Sequence, residues 1–481
     1  MRPKNKKCFT TKLNQNDALK IEMKTAFICQ GMEMNGFPLD KEECQRQIDA
    51  LQERIDWVDD AVLHLIPPKP KIKGTVVTKI FKMNGDYTKQ VLDWREDETA
   101  PRPYDGSTEP VDIDGEFCRI EWEPINLNSS VQVNRWLLEN GWQPKEWNFK
   151  KDSRGKEIKD SLGNKIKTSP KLTNDSLDDL EELGQAGKLI AYRRKCTHKQ
   201  NQLRGFLRDC RDDGTVPSVV NTLGAATRRM THQKIVNVPT PRKGQFWKPM
   251  RKVFWSGDKD WRVVGCDASQ IQIRGLAHYA KIICDDDQMI NDLVAADNGD
   301  GADVHTLNGE RAGVSRNESK NIFYGYLFGA GVPKTAKQLK KSIKETEKIR
   351  KKFDAAVPFV SKIVAHLTNY YRSHGYITGL DGTRIYAESE HMLLVYLLQN
   401  FEAVFMKVAL CYSIDRIQKA GLRAKFVTMQ HDEFQFIAHK DDAKKVGKIL
   451  EKSMVDAGKF VGSKCPVVGE AEIGMNWYET H

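Results

Sequence analysis

Residues 422–439, LRAKFVTMQHDEFQFIAH, predict two strands joined by a tight turn that holds His431 and Asp432. The segment 261–280, WRVVGCDASQIQIRGLAHYA, predicts a short apolar strand that runs into Asp267 and then an amphipathic helix. Each aspartate follows an apolar strand, so the rim of a core would hold its carboxylate. Oxygen ligands suit Mg²⁺, and two such ions about 4 Å apart can serve phosphoryl transfer. Taken alone, an aspartate after a strand is more often a helix cap or a turn residue, and spacing does not show that the two meet.

A second pattern lies in RNESKNIFYGYLFGAG, which carries a cation or a ring at every fourth position: Arg316, Lys320, Tyr324 and Phe328. On a helix these side chains form one slanted stripe about 18 Å long, close to the length of an extended nucleoside triphosphate. The guanidinium and the ammonium suit phosphate oxygens, and a ring offers a stacking face for a base. An amphipathic helix with core rings and surface cations would show the same pattern, so both interpretations stay open.

Composition narrows the class of protein. The chain has 76 Lys+Arg against 65 Asp+Glu, a net charge of +11 that favours a polyanionic partner. Its ten cysteines contain no C-x-x-C pair, which indicates reduced thiols without structural zinc, as in a cytoplasmic protein. The N-terminal residues lack the apolar run of a signal peptide. The most apolar segment, 391–414, is interrupted by Gln399, Asn400, Glu402 and Lys407, so we expect no membrane helix.

The remaining chain is predicted to alternate between helical and irregular regions. We expect helix over 16–66 with a turn at 34–40, a lysine-rich insertion with strand-like pieces over 66–122, a capped helix over 126–142, a polar loop over 150–170, a long helix over 175–210 and mainly helix over 303–370. The basic residues of the 175–210 helix are interleaved with polar ones, so we expect a solvated face or a nucleic-acid contact rather than core. We expect no internal repeat.

Three segments, DASQIQIRGLAH, RNESKNIFYGYLFGAG and QHDEFQF, resemble in order and spacing the three polymerase motifs of family A DNA polymerases, above all the replicative branch of T-odd phages. Smaller matches follow the same order: NGFPLD (35–40), GAATRRMTH (224–232), ADVHT (302–306), GLDGTR (379–384) and LLQN (397–400). The set covers nearly the whole chain from about residue 20. The resemblance implies an α+β fold, a right hand of thumb, palm and fingers with an antiparallel palm sheet and helical fingers.

The same resemblance implies a domain order. It comprises an N-terminal segment and start of the thumb (1–65), an insertion that could bind a processivity factor (66–122), the thumb (123–212), the first part of the palm (213–285), the fingers (286–375) and the second part of the palm (376–481).

The resemblance also implies the site residues. The catalytic residues would be Asp267, Asp432, Lys320 and Glu433, and two Mg²⁺ ions would be held by Asp267, Asp432 and the Ala268 carbonyl. The incoming deoxynucleoside triphosphate would contact His305, Arg316, Lys320, Tyr324, Phe328 and Gln272. Primer-template DNA would contact Arg229, Gln399, His431 and Arg384.

Three positions depart from the family pattern. Gln272 stands where the family usually has Glu, Phe328 where it has Tyr, and the family's TGR is TRR here, with Arg229 as the matching arginine. In the family the Glu blocks a ribose 2′-hydroxyl and is held by the Tyr hydroxyl. We therefore expect Gln272 to keep the steric block with a less firmly fixed orientation.

The implied function is template-directed extension of a primer by a DNA polymerase in phage replication. About 20 residues precede the thumb motif, so we expect no 3′→5′ proofreading site in this chain. The expected partners are primer-template DNA, deoxynucleotides, a thioredoxin-like processivity factor and a separate exonuclease chain, with no membrane. Two alternatives stay open: a single-subunit RNA polymerase, which the missing Glu at 272 favours and Glu433 disfavours, and a non-catalytic nucleic-acid-binding relative.

Overall fold

The computed structural model describes residues 8–9, 11–96, 116–239, 248–327 and 330–480. The helices are α1 (Gln15–Asn35), α2 (Lys41–Leu63), α3 (Lys89–Glu96), α4 (Ser130–Glu139), α5 (Asn174–Leu177), α6 (Gly184–Asp209), α7 (Ile271–Cys284), α8 (Gln288–Asp297), α9 (Val304–Ala312), α10 (Arg316–Leu327), α11 (Val332–Leu339), α12 (Ile343–Ala356), α13 (Pro358–His374), α14 (Leu393–Lys419) and α15 (Lys440–Val461). The strands are β1 (Phe37–Pro38), β2 (Lys69–Val77), β3 (Phe117–Glu123), β4 (Glu146–Phe149), β5 (Lys167–Lys171), β6 (Thr215–Val216), β7 (Val219–Asn221), β8 (Thr231–Gln233), β9 (Trp261–Ala268), β10 (Ile377–Thr378), β11 (Arg384–Ile385), β12 (Ala424–Gln430), β13 (Glu433–His439) and β14 (Gly469–Gly474).

A four-stranded antiparallel sheet in the order β12-β13-β9-β14 lies in the larger of two compact units, residues 1–45 and 203–481. Strand β13 is buried along nearly its whole length because it lies between β12 and β9. Gly265 of β9 allows this close packing, since a Cβ there would lie 2.6 Å from Nε2 of Gln435. The two strands and the tight turn predicted over 422–439 are confirmed.

Helices pack around this sheet and fill the core of the larger unit. Helix α15 packs against β9, β14 and α14, while α1 packs against α14 and β12. Among the described residues, one helical stretch, Glu390–Lys419, is long and apolar enough to cross a membrane, and its most apolar window is 89% buried inside the protein. It is therefore placed as a core helix.

The region from α9 to α13 is helical, as the sequence predicts for 303–370. Helix α9 packs against α10 and α12, and α11 packs against α12. Reciprocal caps fix two starts: Ser315 and Glu318 exchange hydrogen bonds before α10, and Ser342 and Glu345 do so before α12. These local signals place the start of α10, on which the predicted stripe lies.

The smaller compact unit, residues 46–202, shows one difference from the sequence prediction. The expected polar loop over 150–170 is instead a pair of hairpin turns with the eight-residue repeat DSRGKEIK (152–159) and DSLGNKIK (160–167). Asp152 and Asp160 start the two turns, and each carboxylate accepts two backbone N–H bonds. The loop prediction and the expectation of no repeat are both wrong. The segment is rich in charged residues, and only its Asp and Gly residues indicate the turns.

Helix α6 also differs from its prediction. Arg193 is buried and donates to Asp59, to the Leu127 carbonyl and to Asn128. Gln200 is buried as well and donates to the Ile48 carbonyl. The expectation that the basic residues of this helix avoid the core is wrong for Arg193, whose buried guanidinium is satisfied by hydrogen bonds inside the smaller unit.

The nine cysteines whose side chains the structure describes are free thiols, in agreement with the sequence prediction.

Candidate active site

Two aspartates meet at one end of the four-stranded sheet. Asp267 lies near the end of β9, directly opposite Glu433 at the start of β13. Asp432 belongs to the two-residue turn between β12 and β13, and its carbonyl accepts a hydrogen bond from the Ala268 N–H at 2.9 Å. His431, the other turn residue, takes a left-handed conformation with φ 57°. The strand pairing thus brings together two carboxylates that lie 165 residues apart in the sequence.

Both carboxylates have pKa values well above the usual value for aspartate. Burial raises the pKa of Asp267 to about 7, and the negative charge of Glu433 adds to this. Burial raises the pKa of Asp432 to about 8, with further contributions from Glu402 and Asp267. A cation placed between such groups would relieve both effects.

The donor set fits a hard divalent cation. Within the described residues, no group of three or more His, Cys, Asp or Glu side chains is arranged to hold a metal ion. Mg²⁺ typically takes only one or two protein carboxylates and completes its shell with water and substrate phosphates. Asp267 and Asp432 therefore match Mg²⁺ better than a metal that requires a full protein cage.

Glu433, the third carboxylate at this end of the sheet, is neutralised by its own partners. Nη1 of Arg251 lies 3.2 and 3.1 Å from its two carboxylate oxygens, and Nε2 of Gln435 donates at 2.6 Å. The indole N–H of Trp477 donates to the same carboxylate, and the Arg251 guanidinium lies 4.4 Å from the Trp477 ring centroid. Because these groups hold Glu433 in the core, it borders the aspartate pair as a compensated charge. Neither Arg251 nor Trp477 was identified from the sequence.

Helix α10 carries the first three residues of the predicted stripe. Arg316 and Lys320 are exposed, whereas Tyr324 is half-buried. Burial raises the pKa of the Tyr324 hydroxyl, and the negative charges of Asp432 and Glu402 raise it further, so this residue lies within electrostatic range of those two carboxylates. Phe328 lies outside the described residues.

Helix α9 supports this face of α10. The ring of His305 is buried and its centroid lies 5.6 Å from that of Tyr324. Burial and the nearby positive charge of Lys320 lower the pKa of His305 to about 4, so the ring is neutral at pH 7. Its Nδ1 has no hydrogen-bond partner among the residues that the structure describes.

Asp303, the N-cap of α9, holds Arg316. Nε of Arg316 donates to Oδ2 of Asp303 at 2.8 Å, and the same carboxylate accepts from the His305 N–H and the Thr306 hydroxyl. Burial raises the pKa of Asp303, but these hydrogen bonds outweigh it and lower the pKa to about 2. The sequence analysis missed Asp303, although an aspartate just before a helix is a cap signal.

Glu402 is a further residue of the site to which the sequence analysis assigned no role. It lies on α14, one helical turn after Gln399, and is 1% exposed. Nε of Arg229 donates to its Oε1 at 2.9 Å, with Nη2 donating to the same oxygen, and Nε2 of Gln272 donates to its Oε2 at 2.7 Å. The expectation of a loosely oriented Gln272 is therefore wrong, because a carboxylate on another helix supplies the missing hold. The one sequence signal was a charged residue within an otherwise apolar segment.

The other predicted DNA contacts are Gln399, His431 and Arg384. Gln399 is half-buried on α14, and His431 packs edge-on against His232 with ring centroids 5.3 Å apart. Arg384 is exposed on β11, with its guanidinium 4.6 Å from the Tyr376 ring centroid.

Arg228, which replaces the family's glycine, adopts φ 65°. This left-handed conformation is the one that glycine adopts without strain. The Arg228 side chain donates to Thr383 and Glu22 and forms an ion pair with Asp381. It is thereby anchored in the protein, while the neighbouring Arg229 reaches Glu402.

Comparisons with known proteins agree with this architecture. Residues 108–479 match the model of a family described as DNA polymerase family A. The DNA-directed DNA polymerase of Escherichia phage Phieco32 is 23% identical over 98% of this chain and 100% of that protein. The DNA-directed DNA polymerase of Escherichia phage T7 is 22% identical over 97% of this chain and 70% of that protein.

A solved structure shows the same fold. The POL domain of Pol1 from M. smegmatis, in complex with DNA primer-template and dNTP, superimposes with a TM-score of 0.69 and 18% identity, over 97% of this chain and 73% of that chain. The α+β fold predicted from the sequence is confirmed.

Proposed function

Because this chain belongs to DNA polymerase family A and is a DNA-directed DNA polymerase, we propose that it adds deoxynucleoside monophosphates to a primer 3′ end by two-metal-ion phosphoryl transfer. The observation that carries this mechanism is the adjacent pair Asp267 and Asp432, whose pKa values are both raised. Neither a single-subunit RNA polymerase nor a non-catalytic relative is favoured, since the phage relatives are named as DNA-directed DNA polymerases.

Asp267, Asp432 and the Ala268 carbonyl would hold two Mg²⁺ ions. When bound, these ions would activate the primer 3′-hydroxyl and neutralise charge on the transferred phosphate. Glu433 would act indirectly, because Arg251 and Trp477 already hold its carboxylate.

The nucleotide would lie along α10. Arg316 and Lys320 would bind phosphate oxygens, Lys320 would place its proton near the departing pyrophosphate, and Tyr324 would stack on the base. Within the described residues, the Arg316 side chain donates only from Nε, to Asp303, so its two Nη groups can take a phosphate. His305 would donate a ring N–H to the phosphates, and its buried Nδ1, which has no partner among the described residues, supports such a role. Phe328 would extend the apolar end of the stripe.

Primer-template DNA would contact Arg229, Gln399, His431 and Arg384. Minor-groove acceptors are nearly the same for every base pair, so donors such as Arg229 and Gln399 can check pair shape without reading sequence. The net charge of +11 supports phosphate binding along the duplex.

The phage relatives support a proposal for the biological setting. We place the enzyme in phage DNA replication in the host cytoplasm, with a thioredoxin-like processivity factor at residues 66–122 and proofreading supplied by a separate exonuclease chain.

Primer extension tests the proposal. Asp267→Asn and Asp432→Asn should each lower single-nucleotide insertion at least 100-fold, about 2.7 kcal/mol, because the carboxylates serve the charge that develops during transfer. Primer-template affinity should change only a few-fold, since it depends on distributed phosphate contacts. A variant that keeps more than about one percent of the wild-type rate would contradict the two-metal assignment.

The control variant is Asp285→Asn, at an exposed left-handed position where asparagine is tolerated. It should extend the primer like the wild type. The same gels, run with a mismatched labelled primer, test proofreading: Mg²⁺-dependent shortening of the primer by the purified chain would show an exonuclease site in it.

A further inference from the structure

One buried carboxylate connects a residue that we propose contacts the nucleotide with a residue that we propose contacts the primer-template. Glu402 gives one oxygen to Arg229 and the other to Gln272. Asp267, Asp432 and Tyr324 all sense its charge. We infer that Glu402 is a positioning residue that orients Gln272 for sugar selection and Arg229 for the check on the primer terminus, an assignment that rests on the proposed function.

The hydrogen bond decides which atom of Gln272 faces the site. A carboxylate accepts only, so the amide must present its Nε2 to Glu402, and its Oε1 points elsewhere. Gln272 is half-buried in the first turn of α7, five residues after Asp267. With the amide fixed, its bulk stays beside the aspartate pair, where a ribose would carry its extra 2′-hydroxyl.

Arg229 is oriented in the same way. Glu402 engages the Nε and Nη2 edge of the guanidinium, and within the described residues the Arg229 side chain makes no other hydrogen bond. Nη1 is therefore left for a minor-groove acceptor. Because the Glu402 side chain is 1% exposed and Arg229 is its only cationic partner among the described residues, removing the carboxylate would release the guanidinium from this orientation.

The carboxylate accounts for two of the departures from the family pattern. The family places a glutamate at position 272 and a tyrosine hydroxyl at 328, whereas this chain has Gln272 and Phe328. Here the acid is supplied by α14, and the residue at 272 becomes the donor. The residue at position 272 thus still forms a hydrogen bond, but here Gln272 is the donor and Glu402 is the acceptor.

The test is a double-mutant cycle at Glu402 and Gln272, measured by primer extension. The first readout is the ratio of kcat/KM for a deoxynucleotide over the matching ribonucleotide. Glu402→Ala and Gln272→Ala should each lower this ratio at least about tenfold, and the double variant should match Gln272→Ala within about twofold. A role independent of Gln272 would make the two effects multiply.

The second readout is the rate of extension from a mismatched primer end relative to a matched one. Glu402→Ala should raise this relative rate several-fold in the wild-type background and leave it unchanged in Arg229→Ala. Glu402→Gln has the same shape, so it answers the question if the alanine variant does not fold, and it should shift the sugar ratio in the same direction.

Glu22→Gln is the matched control, because Glu22 is a buried carboxylate bound to Lys407 and Arg228 that does not touch Gln272 or Arg229. It should lower thermal stability and leave both ratios unchanged. If all Glu402 variants change every kcat/KM equally, the positioning role is wrong and Glu402 is structural. If the wild type itself does not extend a primer, the proposed function fails, and the inference fails with it.

Discussion

Asp432 illustrates at the residue scale how a buried carboxylate proposed to bind a metal lowers stability. Burial and the carboxylates of Glu402 and Asp267 raise its pKa to about 8, far above the value near 4 of an unfolded chain. Between these two pH values the folded protein holds a proton that the unfolded chain releases. Metal-free stability therefore falls as the pH rises through this window.

Asp432→Asn should accordingly stabilise the metal-free protein at pH 8, by about 1–3 kcal/mol, and have little effect near pH 4.5. Thermal unfolding in EDTA at the two pH values measures this. Addition of Mg²⁺ should raise the wild-type Tm more than that of the variant, because only the wild type has both carboxylates. An equal stabilisation at both pH values would show that charge is not the cause.

Tyr324 carries a second prediction at this scale. Its half-buried hydroxyl lies within electrostatic range of Asp432, where an incoming nucleotide would carry its 3′ position. This hydroxyl can stand in for the missing 3′-OH of a dideoxynucleotide. Tyr324→Phe should therefore increase discrimination against dideoxynucleotides by about 10- to 1,000-fold, or 1.4–4 kcal/mol.

Sequencing-type termination ladders measure this discrimination. Tyr412→Phe, a tyrosine on α14 that packs against Phe460, serves as the control and should terminate like the wild type. Unchanged ladders for Tyr324→Phe would place this side chain away from the sugar.

At the element scale, α14 organises the segment 222–229. Its buried polar residues each reach one part of that segment: Asn400 donates to the Thr227 carbonyl, Glu402 accepts from Arg229, and Lys407 donates to the Thr222 and Arg228 carbonyls. A helix inside the core thus holds an irregular segment that lies between β7 and β8. Three of the four polar residues that interrupt the apolar pattern of α14 make these contacts, and Gln399 is the fourth.

Lys407→Met should cost about 3 kcal/mol of unfolding free energy, because it leaves Glu22 buried without its nearest cation and releases two backbone carbonyls. Urea denaturation measures the loss. Adding Glu22→Gln should recover part of it, since the uncompensated charge is then removed. A double variant that loses more unfolding free energy than the two single variants lose together would argue against charge pairing.

At the scale of the whole molecule, the insertion within the smaller unit can be removed at a defined point. Lys69 of β2 pairs with Glu123 of β3, so the two ends of residues 70–122 lie side by side. Two lysines near this junction already form ion pairs, Lys69 with Glu139 and Lys71 with Glu123. Residues 97–115 of the insertion lie outside the described residues.

Replacing residues 70–122 by a Gly-Asn turn should shorten the product per binding event and spare single-nucleotide insertion, if this segment binds a processivity factor or the duplex. Single-turnover insertion and product length under a DNA trap measure the two properties. A companion variant with Lys79 and Lys82 changed to Gln distinguishes binding of a processivity factor from binding of the duplex. If the segment binds the duplex, this variant should have a DNA affinity that depends less on salt concentration. Equal loss of both activities would mean that the segment is structural.

Local sequence patterns predicted many elements of this protein and six of its proposed site residues, whereas the other proposed site residues followed from the resemblance to a family. Caps, alternation and turn residues predict the helices at the N-terminus, the hairpin around Asp432 and the helix that carries Arg316, Lys320 and Tyr324. These signals are short-range, so a chain read in order reveals them. The hairpin turns at 152 and 160 carry the same kind of local signal, but the many lysines around them led to the prediction of a polar loop.

Only the tertiary structure decided which charges meet. Asp267 and Asp432 became neighbours through β9 pairing with β13, and Glu402 became the partner of Arg229 and Gln272 through the packing of α14. The low-dielectric interior makes such pairings decisive for pKa and orientation, yet their residues lie more than 100 positions apart. No local pattern encodes a contact at that separation, which is why the network that joins the primer and nucleotide residues could not be predicted from the sequence.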